Sequence, residues 1–259
     1  MFDIHAHILP GIDDGPPTME ETIRMLRVAE KDGIKGIVAT PHMVPGVHDN
    51  PKNKVLAALG DLKQVLGPDF PVKVYAGSEV SLCAESLIGI REGRYLTINS
   101  GRYILLELPS HFINKNVFDF IFSLTSAGMI PVIAHPERNA KVQRDVKTLY
   151  ELANLGALMQ ATAASFSGFF GSGVRKFALG LVEKRLVHVV ASDAHDPERR
   201  CPALSPSLKE LKKLLNEEEC QALLHGNPEK IINNEYVEVE PPRKPKTFFF
   251  MSEMPFFDY

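Results

Sequence analysis

Histidines and carboxylates stand where the short apolar runs of this chain stop. Phe2–Ile4 leads into His5-Ala6-His7, Gly36–Ala39 into Thr40-Pro41-His42, and Val72–Ala76 into Gly77-Ser78-Glu79. Further on, Ile104–Leu106 leads into Glu107, Val132–Ala134 into His135-Pro136-Glu137-Arg138, and Val187–Ala191 into Ser192-Asp193-Ala194-His195. Residues i and i+2 of a strand share a face, so His5 and His7 can reach one ion. A single histidine after a strand is ordinarily a loop residue, and a single acid such as Glu107 a surface group. Recurrence at one strand end after another is what gives the pattern weight. Acids and imidazoles buried together are costly without positive charge among them, and metal ions supply it. Imidazole and carboxylate donors without thiolate suit Mn, Fe or Zn. The donors exceed what one ion needs. His5, His7, Glu79 and Asp193 could hold one, Glu79, Glu107 and His135 a second, with Asp14, His42 and His195 left for a third. Asp13-Asp14-Gly15 also reads as a turn.

The elements that must position these residues alternate between strand and helix. Strands are expected at Phe2–Ile4, Gly36–Ala39, Val72–Ala76, Tyr103–Glu107, Ile130–Ala134, Ala157–Gln160 and Val187–Ala191. Thr18-Met-Glu-Glu21 reads as a capping box opening a helix that stops at Gly33. Amphipathic stretches at Pro51–Leu66, Lys115–Ala127, Val142–Asn154, Val174–Lys184 and Ser207–Leu215 supply further helices, with Asn227-Pro228 opening a short one and Glu85–Leu96 a less regular insertion. Strand–helix alternation over 259 residues fits one α/β barrel, in which every strand C-terminus opens on the face where active sites lie.

Composition removes several classes. The chain carries 29 Lys+Arg against 32 Asp+Glu, a formal charge of −3, which gives no electrostatic reason to expect nucleic acid. No apolar run approaches the roughly 18 residues of a membrane span, and the N-terminus lacks a signal-peptide pattern, so the expectation is a cytoplasmic protein. Three scattered cysteines make a disulfide framework improbable. A cysteine-based tyrosine phosphatase needs Arg six positions after its Cys; Cys83, Cys201 and Cys220 are followed there by Gly89, Ser207 and Gly226.

The motifs quoted above, together with Ile8-Leu-Pro-Gly-Ile-Asp-Asp14-Gly15, resemble the polymerase and histidinol phosphatase (PHP) superfamily. More narrowly they resemble its bacterial manganese-dependent protein-tyrosine phosphatases of the capsular-polysaccharide CpsB/YwqE type. The resemblance runs in order over residues 1–235. It implies a distorted seven-stranded (β/α)7 TIM-like barrel with a trinuclear site whose ligands are His5, His7, Asp14, His42, Glu79, Glu107, His135, Asp193 and His195. It implies Mn2+ as cofactor, with Fe or Zn as substitutes. The implied substrate is phosphotyrosine in the tail of an autophosphorylating bacterial tyrosine kinase that controls exopolysaccharide assembly.

A planar guanidinium binds phosphate bidentately, which makes Arg138 the leading phosphate clamp, with Arg200 or its neighbour Arg199 a second. The alternative for Arg138 is a pair with Glu137. His111-Phe112 could wall the tyrosine pocket, and Gln160 could contact substrate or be a plain strand exit. His188 reads as a core histidine. Residues 1–239 form the expected barrel unit. Residues 240–259 form a Pro-rich, aromatic tail that could cover a groove on this barrel or on a second copy in a homo-oligomer, or dock a partner. Competing activities are a small-molecule phosphatase such as a histidinol phosphatase, and an amidohydrolase-type hydrolase. The latter usually carries a bridging Lys where this chain has Glu107.

Overall fold

The computed structural model describes residues 1–110 and 113–243; the expected pocket wall His111-Phe112 and the tail beyond Arg243 lie outside the described residues. Among those residues the strands are β1 (Phe2–Ala6), β2 (Gly36–Ala39), β3 (His42–Met43), β4 (Lys73–Ala76), β5 (Glu79–Ser81), β6 (Tyr103–Glu107), β7 (Ile130–Ala134), β8 (Leu158–Thr162) and β9 (Val189–Ala191). All pairings are parallel, in the orders β1-β2-β4 and β3-β5-β6-β7-β8-β9.

This α/β fold with parallel sheets corrects the expected count of seven strands. Each expected strand has its counterpart, and β3 and β5 are additional. Pro41 has no N–H to give a ladder, and Gly77-Ser78 interrupts the next one, so both chains cross from the first sheet to the second within two residues. The other ends of the two sheets meet at β1 and β9. His7 N–H donates to Ala194 O and Asp193 N–H to His5 O, both at 2.8 Å, and Asp3 Oδ1 accepts Ser192 N–H at 3.0 Å.

The helices are α1 (Met19–Asp32), α2 (Lys52–Leu66), α3 (Ala84–Arg91), α4 (Lys115–Ser126), α5 (Ala140–Arg144), α6 (Lys147–Asn154), α7 (Ala163–Ser167), α8 (Ser172–Glu183), α9 (Ser205–Leu211), α10 (Glu217–Gln221) and α11 (Asn227–Ile232). Thr18 Oγ1 caps α1 by accepting Glu21 N–H at 3.3 Å, and Gly33, at φ 83°, ends it in a left-handed conformation open to glycine. The helix expected over 142–154 is two helices. Asp145, at φ −138° and ψ 88°, leaves the helical region between them, and its Oδ1 accepts Lys147 N–H.

Strand alternation sorts the core into two layers. Tyr103, Leu105, Val132, Ala134, Leu158, Val189 and Ala191 pack together in one cluster. The intervening Ile104, Leu106, Ile133, Met159 and Val190 pack with the helices in the other. Glu107 continues the first face of β6 and Gln160 that of β8, so the same register that buries apolar side chains below delivers polar ones at the strand ends. At the opposite end, Tyr103 OH donates to Glu235 O at 2.6 Å and accepts Val237 N–H. Beyond Val239 the described residues stay on the same fold: Glu240 pairs with Arg185, and Arg243 N–H donates to Lys184 O.

Candidate metal centre

Four donor atoms converge where β1, β4 and β9 end, Glu79 being the residue that opens β5 just beyond β4. His5 Nε2 and His7 Nε2 lie 3.2 Å apart. Glu79 Oε2 is 3.4 and 3.3 Å from them, and Asp193 Oδ1 3.4 and 3.5 Å. All four residues are buried. Their outer partners set which ring nitrogen carries the proton. Gln160 Oε1 accepts His135 N–H at 3.4 Å, which turns the amide oxygen inward, and it lies 2.9 Å from His5 Nδ1. Asp13 Oδ2 lies 2.7 Å from His7 Nδ1. Each Nδ1 therefore donates outward, and each Nε2 is aimed at two carboxylate oxygens, where a neutral ring would offer its lone pair to an ion.

Such an arrangement calls for a cation. Burial opposes the charged forms throughout, yet Glu79 and Asp193 raise the His5 pKa, and Asp13, Asp193 and Glu79 hold that of His7 well above its ordinary value. Burial likewise opposes ionised Glu79, and His5, His135 and His42 outweigh it to hold the carboxyl well below the usual range. His42 Nδ1 and Glu79 Oε2 are 2.9 Å apart but too poorly aligned for a hydrogen bond, so both are buried without a partner. An ion placed among these donors satisfies both. The residues present fit a divalent metal.

Around this core the donors fall into overlapping groups, each within the reach of one ion: His5, His7 and Asp193; His5, Glu79 and His135; His42, Glu79 and Glu107; and His7, Asp14, His42 and His195. All nine expected ligands are brought together. The expected trio Glu79, Glu107 and His135 is divided: Glu107 joins Glu79 on the His42 side, while His135 joins Glu79 and His5. Parallel pairing of β3 with β5 sets His42 opposite Glu79, and Ser81 Oγ donates to Glu107 Oε2 at 3.0 Å on that side. In the last group the His195 imidazole, with His42 and His7 beside it, outweighs burial to lower the Asp14 pKa. His195 Nδ1–H donates to Asp193 O at 3.0 Å, turning Nε2 toward Asp14 Oδ1 at 3.3 Å.

Two of the candidate ligands sit on strained backbone. His135, at φ 31°, and Asp193, at φ 52°, occupy the left-handed region that non-glycine residues rarely adopt. Each such residue costs about 1–3 kcal/mol, a strain found where a side chain must be aimed.

Both expected arginine clamps reach the centre through Asp193. Arg138 Nη1 donates to its Oδ2 at 2.5 Å and Arg200 Nη2 to the same atom at 2.7 Å, while Oδ1 faces the imidazoles. The Phe170 ring lies 4.8 Å from the Arg138 guanidinium. Glu137 does not pair with Arg138; it is buried and accepts from Thr162 N–H and Ser165 Oγ. Arg199 is exposed and meets Asp196 through its backbone N–H, so Arg200 is the second arginine at the site. A cavity of about 330 Å3 lined by Glu107, Ser110, His135, Arg138 and Asn139 opens beside the ligands. A roomier one, about 900 Å3 along α8, touches none of them.

Sequence reading passed over Asp13, visible only as part of a turn. It orients His7 and accepts the N–H groups of His42 at 3.0 Å and Gly15 at 3.0 Å. The open question about Gln160 resolves to a contact with His5.

The sequence profile of the capsular polysaccharide synthesis family CpsB/CapC matches residues 1–233. The tyrosine-protein phosphatase YwqE of Bacillus subtilis is 36% identical over 247 residues, which cover 95% of this chain and 97% of that protein. Among the crystal structures of YwqE from Bacillus subtilis and CpsB from Streptococcus pneumoniae, unique metal-dependent tyrosine phosphatases, one chain aligns at TM-score 0.89 and 36% identity, covering 95% of this chain and all of that one. A histidinol phosphate phosphatase of Lactococcus lactis shares the fold at TM-score 0.56 and 14% identity, over 82% of this chain and 93% of that one.

Proposed function

The chain belongs to the capsular polysaccharide synthesis family CpsB/CapC, and on that footing we propose that it is a metal-dependent tyrosine-protein phosphatase acting without a cysteine nucleophile. The observation that carries this reading is the convergence of nine metal-competent residues beside two guanidinium groups, with Glu107, His135 and Arg138 lining a cavity next to them.

His5, His7, Asp14, His42, Glu79, Glu107, His135, Asp193 and His195 would hold the ions, three Mn2+ by their number and overlap. When bound, divalent ions supply positive charge against phosphate oxygens and acidify the attacking water. The chain's own part is to bind and orient. Arg138 and Arg200 offer the guanidinium edges not used on Asp193 to the phosphate oxygens, and the Phe170 face holds Arg138 in place. Gln160 and Asp13 keep His5 and His7 in the tautomers that leave Nε2 free. His195 has its Nδ1–H committed to Asp193 O and so does not protonate the leaving oxygen. Tyrosinate leaves without such help, because the phenol pKa is about 10. Among the described residues no thiol belongs to the cluster.

The chain's formal −3 fits an anionic substrate once the ions are counted, since three divalent charges bring the loaded protein to about +3. The physiological substrate in this reading is the phosphotyrosine-bearing tail of a bacterial tyrosine kinase governing capsule synthesis, met in the cytoplasm. Among the described residues no helix is long and apolar enough to cross a membrane.

The experiment is side-by-side hydrolysis of a phosphorylated bacterial tyrosine-kinase tail peptide and histidinol phosphate by the Mn2+-loaded protein. The reading expects the peptide to be preferred in kcat/KM by at least tenfold. A preference for histidinol phosphate would replace it with the small-molecule activity.

A further inference from the structure

A second cavity, about 660 Å3, lies one loop away from the phosphate side of the site and differs from it in chemistry. Leu82, Leu87, Pro109, Val117 and Phe120 supply its walls, and among its described lining residues Asp119 alone is charged. Its size and apolar lining with a few polar groups at hand are those of a pocket for an apolar side chain rather than for an ion.

Its walls continue from the strands that carry the ligands. β5 bears Glu79 and passes directly into Leu82, Cys83 and Ala84, while β6 ends at Glu107 and passes into Pro109. The two exits are tied together: Leu82 N–H donates to Glu107 O at 3.0 Å, and Ser81 Oγ to Glu107 Oε2. On the far side Asn139, the neighbour of Arg138, donates from Nδ2 to Pro109 O at 3.1 Å. The segment 107–110 is thus a partition, with the polar cavity of Glu107, His135 and Arg138 on one side and the apolar one on the other. Two residues of an extended peptide span about 7 Å, so a phosphotyrosine held at Arg138 carries its near neighbours across such a partition.

We propose that this apolar cavity is a specificity subsite that takes a large aliphatic or aromatic side chain lying one to three residues from the phosphotyrosine of a protein substrate. The proposal rests on the phosphatase reading and adds to it a reason for selecting among phosphotyrosines. Burying one such side chain corresponds to about tenfold or more in binding. A small aryl phosphate reaches only the polar side and gains nothing from the apolar one.

The test compares phosphotyrosine peptides with Leu or Phe near the phosphotyrosine against the same peptides with Ser, on the Mn2+-loaded full chain, with p-nitrophenyl phosphate as control. Ala84→Trp and Asn116→Trp fill the cavity from two exposed lining positions on different helices. The expected result is at least a tenfold lower KM for the apolar peptides on the unaltered protein. Either substitution should erase that advantage while kcat and p-nitrophenyl phosphate turnover stay within twofold. A second readout needs no turnover: the apolar peptide should slow alkylation of Cys83, which lines the cavity, and the Ser peptide should not. Equal KM for both peptides on the unaltered protein, or a preference that survives both substitutions, would overturn the subsite. Failure to hydrolyse p-nitrophenyl phosphate at all would instead overturn the phosphatase reading beneath it.

Discussion

His5 donates Nδ1–H to Gln160 Oε1 at 2.9 Å, and this bond between β1 and β8 decides which of its nitrogens faces the other candidate ligands. Gln160 is fully buried, and the same oxygen takes His135 N–H, so one amide steers two ligands. Replacing Gln160 with Met removes the acceptor at similar volume. Isothermal titration of the metal-free protein should show Mn2+ affinity about 10–100-fold weaker. Gln160→Glu keeps the acceptor and should retain affinity within severalfold.

Arg138 and Arg200 share Asp193 Oδ2, so each has charge-assisted bonds to offer a phosphate as well as to the carboxylate. Arg138→Ala and Arg200→Ala should each lower kcat/KM on a phosphotyrosine peptide by about 10–100-fold, the worth of one charge-assisted hydrogen-bond set. Arg138→Lys should not restore it, because an ammonium cannot reproduce the planar fork. Arg199→Ala should leave the rate within twofold, since only its backbone N–H is engaged.

His188 sets a pH dependence of stability away from the metal ligands. Burial pushes its imidazole down to about 4, and its Nδ1 accepts Met159 N–H at 2.9 Å, a bond that protonation removes. In the unfolded chain it titrates near about 6.5, so between those values the unfolded state binds the extra proton. Its contribution is complete above about pH 6.5 and is lost as pH falls toward 4, about 3 kcal/mol in all. Urea unfolding of the unaltered protein and His188→Asn at pH 7 and pH 5 should show a shallower pH dependence in the variant.

The strand-end residues were legible because parallel strands put their C-termini on one face, and local alternation is enough to place His5, His7, Glu79, Glu107, His135 and Asp193 there. Their assignment to shared ions was not legible. Whether Glu107 meets His42 or His135 depends on the chain crossing between sheets at Pro41 and Gly77-Ser78, a long-range matter that no local spacing encodes. Asp13 was hidden for a related reason. An Asp before Asp-Gly forms a turn in most contexts, and only the packed site shows its carboxylate reaching His7 across six residues. The break in the helix over 142–154 falls at Asp145, whose backbone leaves the helical region at φ −138° and ψ 88° inside an otherwise continuous amphipathic pattern.

Metal should also stabilise the fold. Four carboxylates, of which Asp14 alone is exposed, and five imidazoles share the centre, and a ligand bound only by the folded state raises stability by mass action. Thermal unfolding of the chelator-stripped protein should move up by several degrees on adding Mn2+, and Glu79→Gln should abolish most of that shift.

The central claim is that divalent ions held by these nine residues, and no cysteine, drive hydrolysis of phosphotyrosine. The most direct measurement is phosphate release from a phosphotyrosine peptide by protein stripped with chelator, dialysed free of it, and titrated with Mn2+. No release is expected from the stripped protein, with full recovery as Mn2+ fills the sites, unaffected by alkylation of Cys201 and Cys220. Full activity in the stripped protein would contradict that claim.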